Sequence, residues 1–286
     1  MRFLKKYQTN IPAFVLALCL LAGMLCACQT PAEEEIPGTS MVYTPRFTIT
    51  DADTDVSCED PVTVNLEEKL SLCSITEPGT YLLCGKMSGQ ILVDAQDQVV
   101  HLIFAGVEVV STAGPALQIN SAAKVILTLQ AGTENTLRDF PSYPKGSQEN
   151  ACIYSVSDLT VNGTGSLTVS GYFEDAIHVK DVLKLLGGNI FVQAKRDAIQ
   201  GNDGIVVNCQ SLTVQSERHG LYTKRTGNPP KGSIEICGGN HSVIAGGYGI
   251  SCVGDLYIDQ CTVRTTGVLG KYRVDGETLI AEGCDG

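Results

Sequence analysis

Two stretches of the chain carry the same pair of acidic residues on the same spacing. They are EDAIHVKD, residues 174–181, and RDAIQGND, residues 196–203, and they begin 22 residues apart. In each stretch one aspartate precedes Ala-Ile and a second aspartate follows six residues later. Carboxylates that recur at a fixed interval can bind a divalent cation where the fold stacks them, and otherwise serve as turn residues.

An apolar anchor residue recurs at a similar interval, which predicts a structural repeat. The anchors, at steps of 24, 22, 22 and 29 residues, are Ile153, Ile177, Ile199, Leu221 and Ile250. After each anchor come short runs of alternating apolar and polar residues, separated in most rows by turn residues such as Gly and Asn. One such row cannot bury its apolar side chains alone, but stacked rows can. We therefore predict an all-β fold, a right-handed parallel β-helix with about 22 residues per coil.

Stacked coils would bring the carboxylates of successive rows to within about 4.8 Å of one another. Like charges at that spacing repel unless a cation lies between them. Calcium takes six to eight oxygen ligands from carboxylates, carbonyls and water. The predicted metal-site residues are Glu174, Asp175, Asp181, Asp197 and Asp203. The alternative is a row of solvated turns in which aspartates bond to their own backbone.

Aromatic residues recur at the position directly after the anchor, and a lysine lies nearby. Tyr154, His178 and Tyr222 each follow an anchor residue, so stacking would place them in one column. Lys180 would lie one coil from Asn202, on the same face. Tyrosine rings can stack on sugars, although such rows also simply pack between coils. The predicted ligand-binding residues are Tyr154, His178, Lys180 and Tyr222.

The N-terminus has the features of a bacterial export signal. Basic residues at positions 2, 5 and 6 precede the apolar run IPAFVLALCLLAGML, which leads into LCAC. This ending resembles a bacterial lipobox, which implies a signal peptide over residues 1–27, lipidation of Cys28 and attachment to the extracytoplasmic face of the cell membrane. A plain secretory signal is the alternative. Residues 28–60, acidic and containing proline, are predicted to be a tether, and residues 61–286 the β-helix.

The net charge limits which ligands the chain can bind, and the number of cysteines limits how they can pair. The formal net charge is −11, and removal of residues 1–27 takes away three positive charges, which leaves −14. A chain this acidic would repel nucleic acid and is compatible with divalent cations. Nine cysteines follow Cys28, an odd number, so at least one lacks an intramolecular partner. We interpret them as buried free thiols, with disulfides as the alternative.

The rows as a set resemble a known family. They are GTYLLCG, GQILVDA, VILTLQAGTENTL, IYSVSDLTVNGTGSLTV, DAIHVKDVLKLLGGNI and DAIQGNDGI, and the resemblance covers about residues 61–268. It is to bacterial cell-surface carbohydrate-binding domains, which form right-handed β-helices similar in fold to pectin and pectate lyases. It implies binding of plant cell-wall polysaccharide, with calcium ions on the helix surface. Because His219 and Tyr248 stand where that family has aspartate, it implies at most one or two calcium sites here.

Three functions are consistent with these features. We favour non-catalytic, calcium-assisted binding of a plant-type polysaccharide, cellulose or acidic pectic sugars, by a lipid-anchored monomer. A calcium-dependent lyase acting on uronate polymers would need a base beside the metal, and Lys180, Arg196 and Arg218 lie near the aspartates. A structural surface adhesin is the third. Fold alone does not choose among them.

Overall fold

Successive turns of the chain stack as coils of short parallel strands. Residues 45–284 are described from a computed structural model, and they belong to one compact unit. Strands of neighbouring coils pair in parallel along the whole stack. A single coil has no core of its own, so its apolar side chains are buried only when coils stack. The predicted all-β parallel β-helix is confirmed, and its handedness stays a prediction.

One face of the stack is a nine-stranded sheet, which we call the front face. Its strands are β2 (Leu72–Ile75), β4 (Gln90–Asp94), β6 (Leu117–Ser121), β9 (Ala151–Ser155), β12 (Asp175–Val179), β15 (Ile199–Gly201), β18 (Leu221–Tyr222), β21 (Tyr248–Cys252) and β24 (Gly270–Val274).

The other strands form a sixteen-stranded sheet. They are β1 (Val62–Asn65), β3 (Gly79–Ser88), β5 (Val99–Val110), β7 (Lys124–Leu129), β8 (Glu134–Arg138), β10 (Asp158–Gly163), β11 (Ser166–Gly171), β13 (Val182–Leu185), β14 (Asn189–Ala194), β16 (Gly204–Val207), β17 (Ser211–Ser216), β19 (Ser233–Cys237), β20 (Asn240–Ala245), β22 (Leu256–Asp259), β23 (Thr262–Gly267) and β25 (Thr278–Ile280). Strand β5 pairs with both β7 and β8 and so joins two branches. We call the branch from β7 through β10, β13, β16, β19 and β22 the back face, and the branch from β8 through β11, β14, β17, β20 and β23 the side face.

The core consists of apolar ladders that run through the coils. Ile177 pairs with Ile153 and with Ile199, and Leu221 pairs with Ile199 and with Ile250. All five anchor side chains are completely buried. The interval read from the sequence is therefore the coil itself, because every anchor meets its equivalent in the next coil.

Cysteines contribute to the same core. The nine cysteines of the described residues are free thiols, and six of them are buried. Burial raises the pKa of Cys209 and of Cys252 to about 12, so both remain protonated at neutral pH. A protonated buried thiol packs like a small apolar side chain, which is the interpretation favoured from the sequence.

The prediction of a tether is corrected for residues 46–55, which pack against the β-helix. Residues 46–55, which we call the strap, lie across the back face. Asp53 belongs to a one-turn helix, α1 (Asp51–Thr54), and is completely buried. Its carboxylate lies 2.8 Å from Lys124 Nζ and 2.9 Å from Lys184 Nζ. Sequence reasoning missed this because the partners lie 71 and 131 residues away along the chain.

The strap contacts several coils in turn. Arg46 forms an ion pair with Asp255 at its N-terminal end, near β22. Phe47 lies so close to Gly204 in β16 that a Cβ there would be 2.2 Å from the ring. Residue 204 must therefore be glycine while the strap is in place.

The predicted signal peptide and the lipidation site at Cys28 lie outside the described residues. Within residues 45–284, no helix is long and apolar enough to span a lipid bilayer.

Candidate functional site

The repeated aspartates of neighbouring coils stack, but Asp175 and Asp197 do so inside the protein and not on its surface. Asp197 N–H donates to Asp175 Oδ1 at 3.1 Å, and His219 N–H donates to Asp197 Oδ1 at 3.0 Å. The Asp175 and Asp197 side chains are completely buried, so they do not form the solvated turns that were the alternative to a calcium site. Each carboxylate instead satisfies a backbone N–H of the following coil. His219 continues the series, since its Nδ1 accepts from Tyr248 N–H at 3.1 Å.

Arginines neutralise this buried carboxylate pair. Arg196 Nε lies 3.4 Å from Asp175 Oδ1 and 3.6 Å from Asp197 Oδ2, and Arg196 also bonds to Glu174 at 2.5 Å. Arg218 lies 3.3 Å from Asp197 Oδ2. The positive charge that like-charged carboxylates require is therefore supplied by guanidinium groups.

Asp181 and Asp203 stack at the next corner of the same coils. Burial, together with the nearby Asp158 and Asp203 carboxylates, raises the pKa of Asp181 to about 6. Asp203 contacts Arg225 and Lys231, each at 2.9 Å. Burial opposes ionisation of Asp203, but hydrogen bonds from Lys231, Asp181 and Arg225 leave its pKa below the usual value.

These aspartate oxygens are not arranged to coordinate a calcium ion. The Asp175 and Asp197 oxygens are engaged by backbone amides and guanidinium groups, and Asp203 by two cations. Over residues 45–284, no group of three or more His, Cys, Asp or Glu side chains is placed to hold one metal ion. Calcium requires at least six oxygen ligands with a negative surrounding charge.

The predicted ligand-binding column exists on the front face. His178 pairs with Tyr154 below it and with Gln200 above it, and Gln200 pairs with Tyr222. Gln200 Nε2 lies 2.9 Å from His178 Nε2, and His178 Nδ1 lies 2.6 Å from Asn150 Oδ1. The amide of Gln200 donates, so Nε2 of the imidazole accepts and Nδ1 carries the proton. Burial lowers the pKa of His178 to about 4 and keeps the ring neutral.

Two of the predicted contacts are too enclosed to bind a sugar. Tyr154 is 2% exposed and His178 is 8% exposed. The Lys180 ammonium lies 5.3 Å from the centre of the Tyr154 ring and helps to cover it. Their role as ligand contacts is corrected to a structural one: Tyr154 and His178 form an edge-to-face pair with ring centres 5.5 Å apart.

Tyr222 remains accessible and stands in an aromatic cluster. The His219 ring lies 5.4 Å from Tyr222 and 5.8 Å from Tyr248, and the Arg218 guanidinium lies 5.6 Å from the Tyr222 ring centre. Tyr222 and Tyr248 are both half-buried. We call Arg218, His219, Tyr222 and Tyr248 the Tyr222 cluster. Lys180 and Lys224 lie close enough to the same column to disfavour protonation of His178.

Sequence reasoning missed two residues of the front face. Asn150 joins the two predicted sets, because its Nδ2 donates to Asp175 Oδ2 at 2.8 Å while its Oδ1 contacts His178. Gln200 is 2% exposed, and its Oε1 makes no hydrogen bond within the described residues. The repeat pattern could have indicated Gln200, which follows the anchor Ile199 as Tyr154 follows Ile153. Asn150 comes from an irregular loop and carries no such signal.

With this geometry established, comparison with known proteins identifies the family. A family model described as carbohydrate-binding domain-containing protein matches residues 70–286. The chain belongs to this carbohydrate-binding domain family. A member from Acetivibrio thermocellus with the same description is 36% identical over 219 residues, 74% of this chain and 76% of the relative.

A solved structure supports both the family and the fold. It is described as the polysaccharide lyase-like protein from C. thermocellum, in a gadolinium derivative. The similarity has a TM-score of 0.73 and 30% identity, and it covers 79% of this chain and 98% of the other. The resemblance to a carbohydrate-binding domain family that the sequence predicts is therefore confirmed.

Proposed function

We propose that this chain binds a plant-type polysaccharide without catalysis, through the Tyr222 cluster on the front face. The observation that carries the proposal is a half-buried tyrosine with a guanidinium 5.6 Å from its ring centre, in a chain of the carbohydrate-binding domain family. A tyrosine ring offers an apolar face to the C–H groups of a sugar, and its hydroxyl remains free to bond to water or ligand. Binding sites commonly combine such an anchor with a few polar groups.

Acidic pectic sugars suit the charges around this cluster. Lys224 and Arg218 are exposed, and Lys180 is partly exposed, on or beside the front face. Their field is local, since ions screen charges over about 8–10 Å. A uronate carboxylate at the Tyr222 cluster would therefore meet cations, although the chain as a whole is acidic.

Tyr222→Ala is expected to weaken binding of polygalacturonate about tenfold, as the loss of a central aromatic contact commonly does. Lys180→Ala and Lys224→Ala together should weaken it further and reduce its salt dependence, because a pairing charge is lost. Isothermal titration calorimetry on residues 29–286 measures both. Tyr172→Ala, an exposed tyrosine on the side face, is the matched control and should bind polygalacturonate as the wild type does.

Other outcomes would replace the proposal. A rise in unsaturated-uronate absorbance during the titration would make the protein a lyase. No binding of any polysaccharide by the wild type, whether pectic or cellulosic, would favour the structural adhesin.

Calcium assistance stays a prediction, and the Asp181–Asp203 pair is where we propose to test it. Each of these carboxyl groups affects the pKa of the other, so a cation between them would relieve their repulsion but would have to compete with Lys231 for Asp203. Calcium titration of the wild type and of Asp181→Asn with Asp203→Asn measures this. Heat that disappears in the double variant supports calcium at this corner, and no heat in the wild type contradicts calcium assistance.

A further inference from the structure

A second open surface lies on the side face, away from the residues that the sequence singled out. A cleft of about 500 Å³ crosses the ends of β11, β14, β17 and β20. This volume is within the range of small-molecule sites in proteins. The side chains that form its walls are Tyr172, Gln193, Lys195, Gln215, Glu217 and Ile244.

Amide side chains form a row along this cleft. Gln193 pairs with Gln215 in the next coil, so their side chains point the same way about 4.8 Å apart. Gln193 Nε2 donates to Ser170 Oγ at 2.9 Å, which fixes its orientation and leaves Oε1 available. Gln215 is exposed. Ser216 Oγ, also in the cleft wall, is buried and makes no hydrogen bond within residues 45–284. The row thus offers both donors and acceptors, as a polyhydroxylated ligand requires.

Apolar groups stand beside the amides. The Tyr172 side chain is 43% exposed and the Ile244 side chain is 54% exposed, and both belong to the cleft wall. Ile244 pairs directly with Gln215, so the amide row ends on an apolar surface. An exposed ring and an aliphatic side chain on either side of an amide row match the alternation of C–H faces and hydroxyl edges on a pyranose chain.

The charges of the cleft cancel. Lys195 and Glu217 each follow a paired residue, Ala194 and Ser216, so they occupy equivalent positions in neighbouring coils. Their opposite charges leave no net field to attract a carboxylate. The front face differs, since Lys180, Arg218 and Lys224 surround its column.

We propose that the side-face cleft is a second saccharide site and that it takes neutral pyranose units, such as those of a β-glucan. The polysaccharide would lie parallel to the axis of the β-helix, so that it passes from one coil to the next. One sugar would pack against Tyr172, and its hydroxyls would bond to Gln193 and Gln215. This proposal rests on the proposed function, because it assumes that the protein binds polysaccharide. It adds a place and a selectivity that the front face does not supply.

The test compares two probes on the same variants of the full mature chain. Cellohexaose is the neutral probe and polygalacturonate the acidic one, both titrated by calorimetry. Tyr172→Ala and Gln215→Ala are each expected to weaken cellohexaose binding about tenfold, and to leave polygalacturonate binding unchanged. Tyr222→Ala is expected to show the reverse selectivity. Leu70→Ala, at a fully exposed apolar position elsewhere, controls for the loss of a surface side chain.

The possible failures are distinguishable. Wild-type affinity for cellohexaose in both Tyr172→Ala and Gln215→Ala overturns the cleft while polysaccharide binding itself stands. Binding of polygalacturonate alone by the wild type also overturns it. Binding of neither probe, nor of any other polysaccharide, removes the proposed function and the cleft together. Because Tyr172 and Gln215 are exposed, we expect both variants to melt within a few degrees of the wild type. A melting temperature in that range excludes misfolding as the cause of weaker binding.

Discussion

Asp53→Ala is expected to lower the free energy of unfolding by about 3–5 kcal/mol, the usual cost of removing one partner from a buried ion pair. Asp53 is completely buried, and Lys184, its partner at 2.9 Å, is only 6% exposed. Without the carboxylate, the Lys184 ammonium would retain its hydrogen bond to the Thr48 carbonyl, at 2.7 Å, but would lose this ion pair. Thermal or urea unfolding of residues 29–286 measures the loss, and limited proteolysis within residues 46–55 reports whether the strap has detached.

Two controls separate charge pairing from simple truncation. Asp51→Ala removes an exposed carboxylate two residues away and should change stability by less than about 0.5 kcal/mol. Asp53→Leu with Lys184→Met removes the carboxylate and its more buried partner, and should recover part of the loss because only the more exposed Lys124 is then left without its counter-charge. Stability of Asp53→Ala equal to that of Asp51→Ala would show that the strap does not depend on this pair.

Acid should release the strap by the same route. Burial by itself would raise the pKa of Asp53, but hydrogen bonds from Lys124, Thr160, Thr50 and Lys184 hold it well below its usual range. A lowered folded-state pKa means that the stabilisation is complete above the unfolded value near 3.8 and is lost as pH falls through the folded one. Protease sensitivity of residues 46–55 should therefore appear only in strong acid.

We expect ionisation of Asp175 to reduce the stability of the wild type as pH rises from about 4 to 7, and Asp175→Asn should remove this contribution. Burial is the largest influence and raises the pKa of Asp175 to about 7, against the opposing charge of Arg196. Because this folded-state pKa exceeds the unfolded 3.8, the group's stabilisation is complete below 3.8 and is lost as pH rises through 7. At 1.36 kcal/mol per pKa unit, the shift corresponds to about 4 kcal/mol at most.

The measurement is urea unfolding at several pH values, with the variant compared to the wild type at each. Burial also raises the pKa of Asp139 to about 6, so only the difference between the two curves reports on Asp175. The asparagine side chain of the variant would retain an oxygen to accept the Asp197 N–H. Glu174→Gln, at a half-exposed neighbouring position, is the control and should leave the wild-type slope in place. Parallel curves for Asp175→Asn and the wild type would contradict a buried, proton-binding Asp175.

For the predicted ligand-binding residues, the sequence indicated which side chains stack but not which remain exposed. Register was predictable, since Tyr154, His178 and Tyr222 share one column of the front face. Exposure was not, because it depends on what covers a column. Lys180 lies over Tyr154, and Asn150 from a distant loop bonds to His178. Only Tyr222 of the three rings was left accessible.

The aspartate series shows the same division. Its interval correctly predicted that Asp175 and Asp197 would stack, but the sequence allowed either a cation or a turn between them. The folded chain takes a third course, in which each carboxylate accepts a backbone N–H of the next coil and shares Arg196. Side-chain oxygens meet whichever donor the three-dimensional structure brings to them, and spacing does not encode that donor.

The sequence by itself determined the coil. A repeated anchor with alternating strands admits one economical solution, parallel stacking, because each row can bury its apolar residues only against the next. Tertiary structure alone decided the covering of the faces: the strap across the back face, the enclosed column on the front, and the open cleft at Tyr172 on the side. These depend on contacts between segments far apart in the chain and outside the repeat, and a periodic pattern contains no information about them.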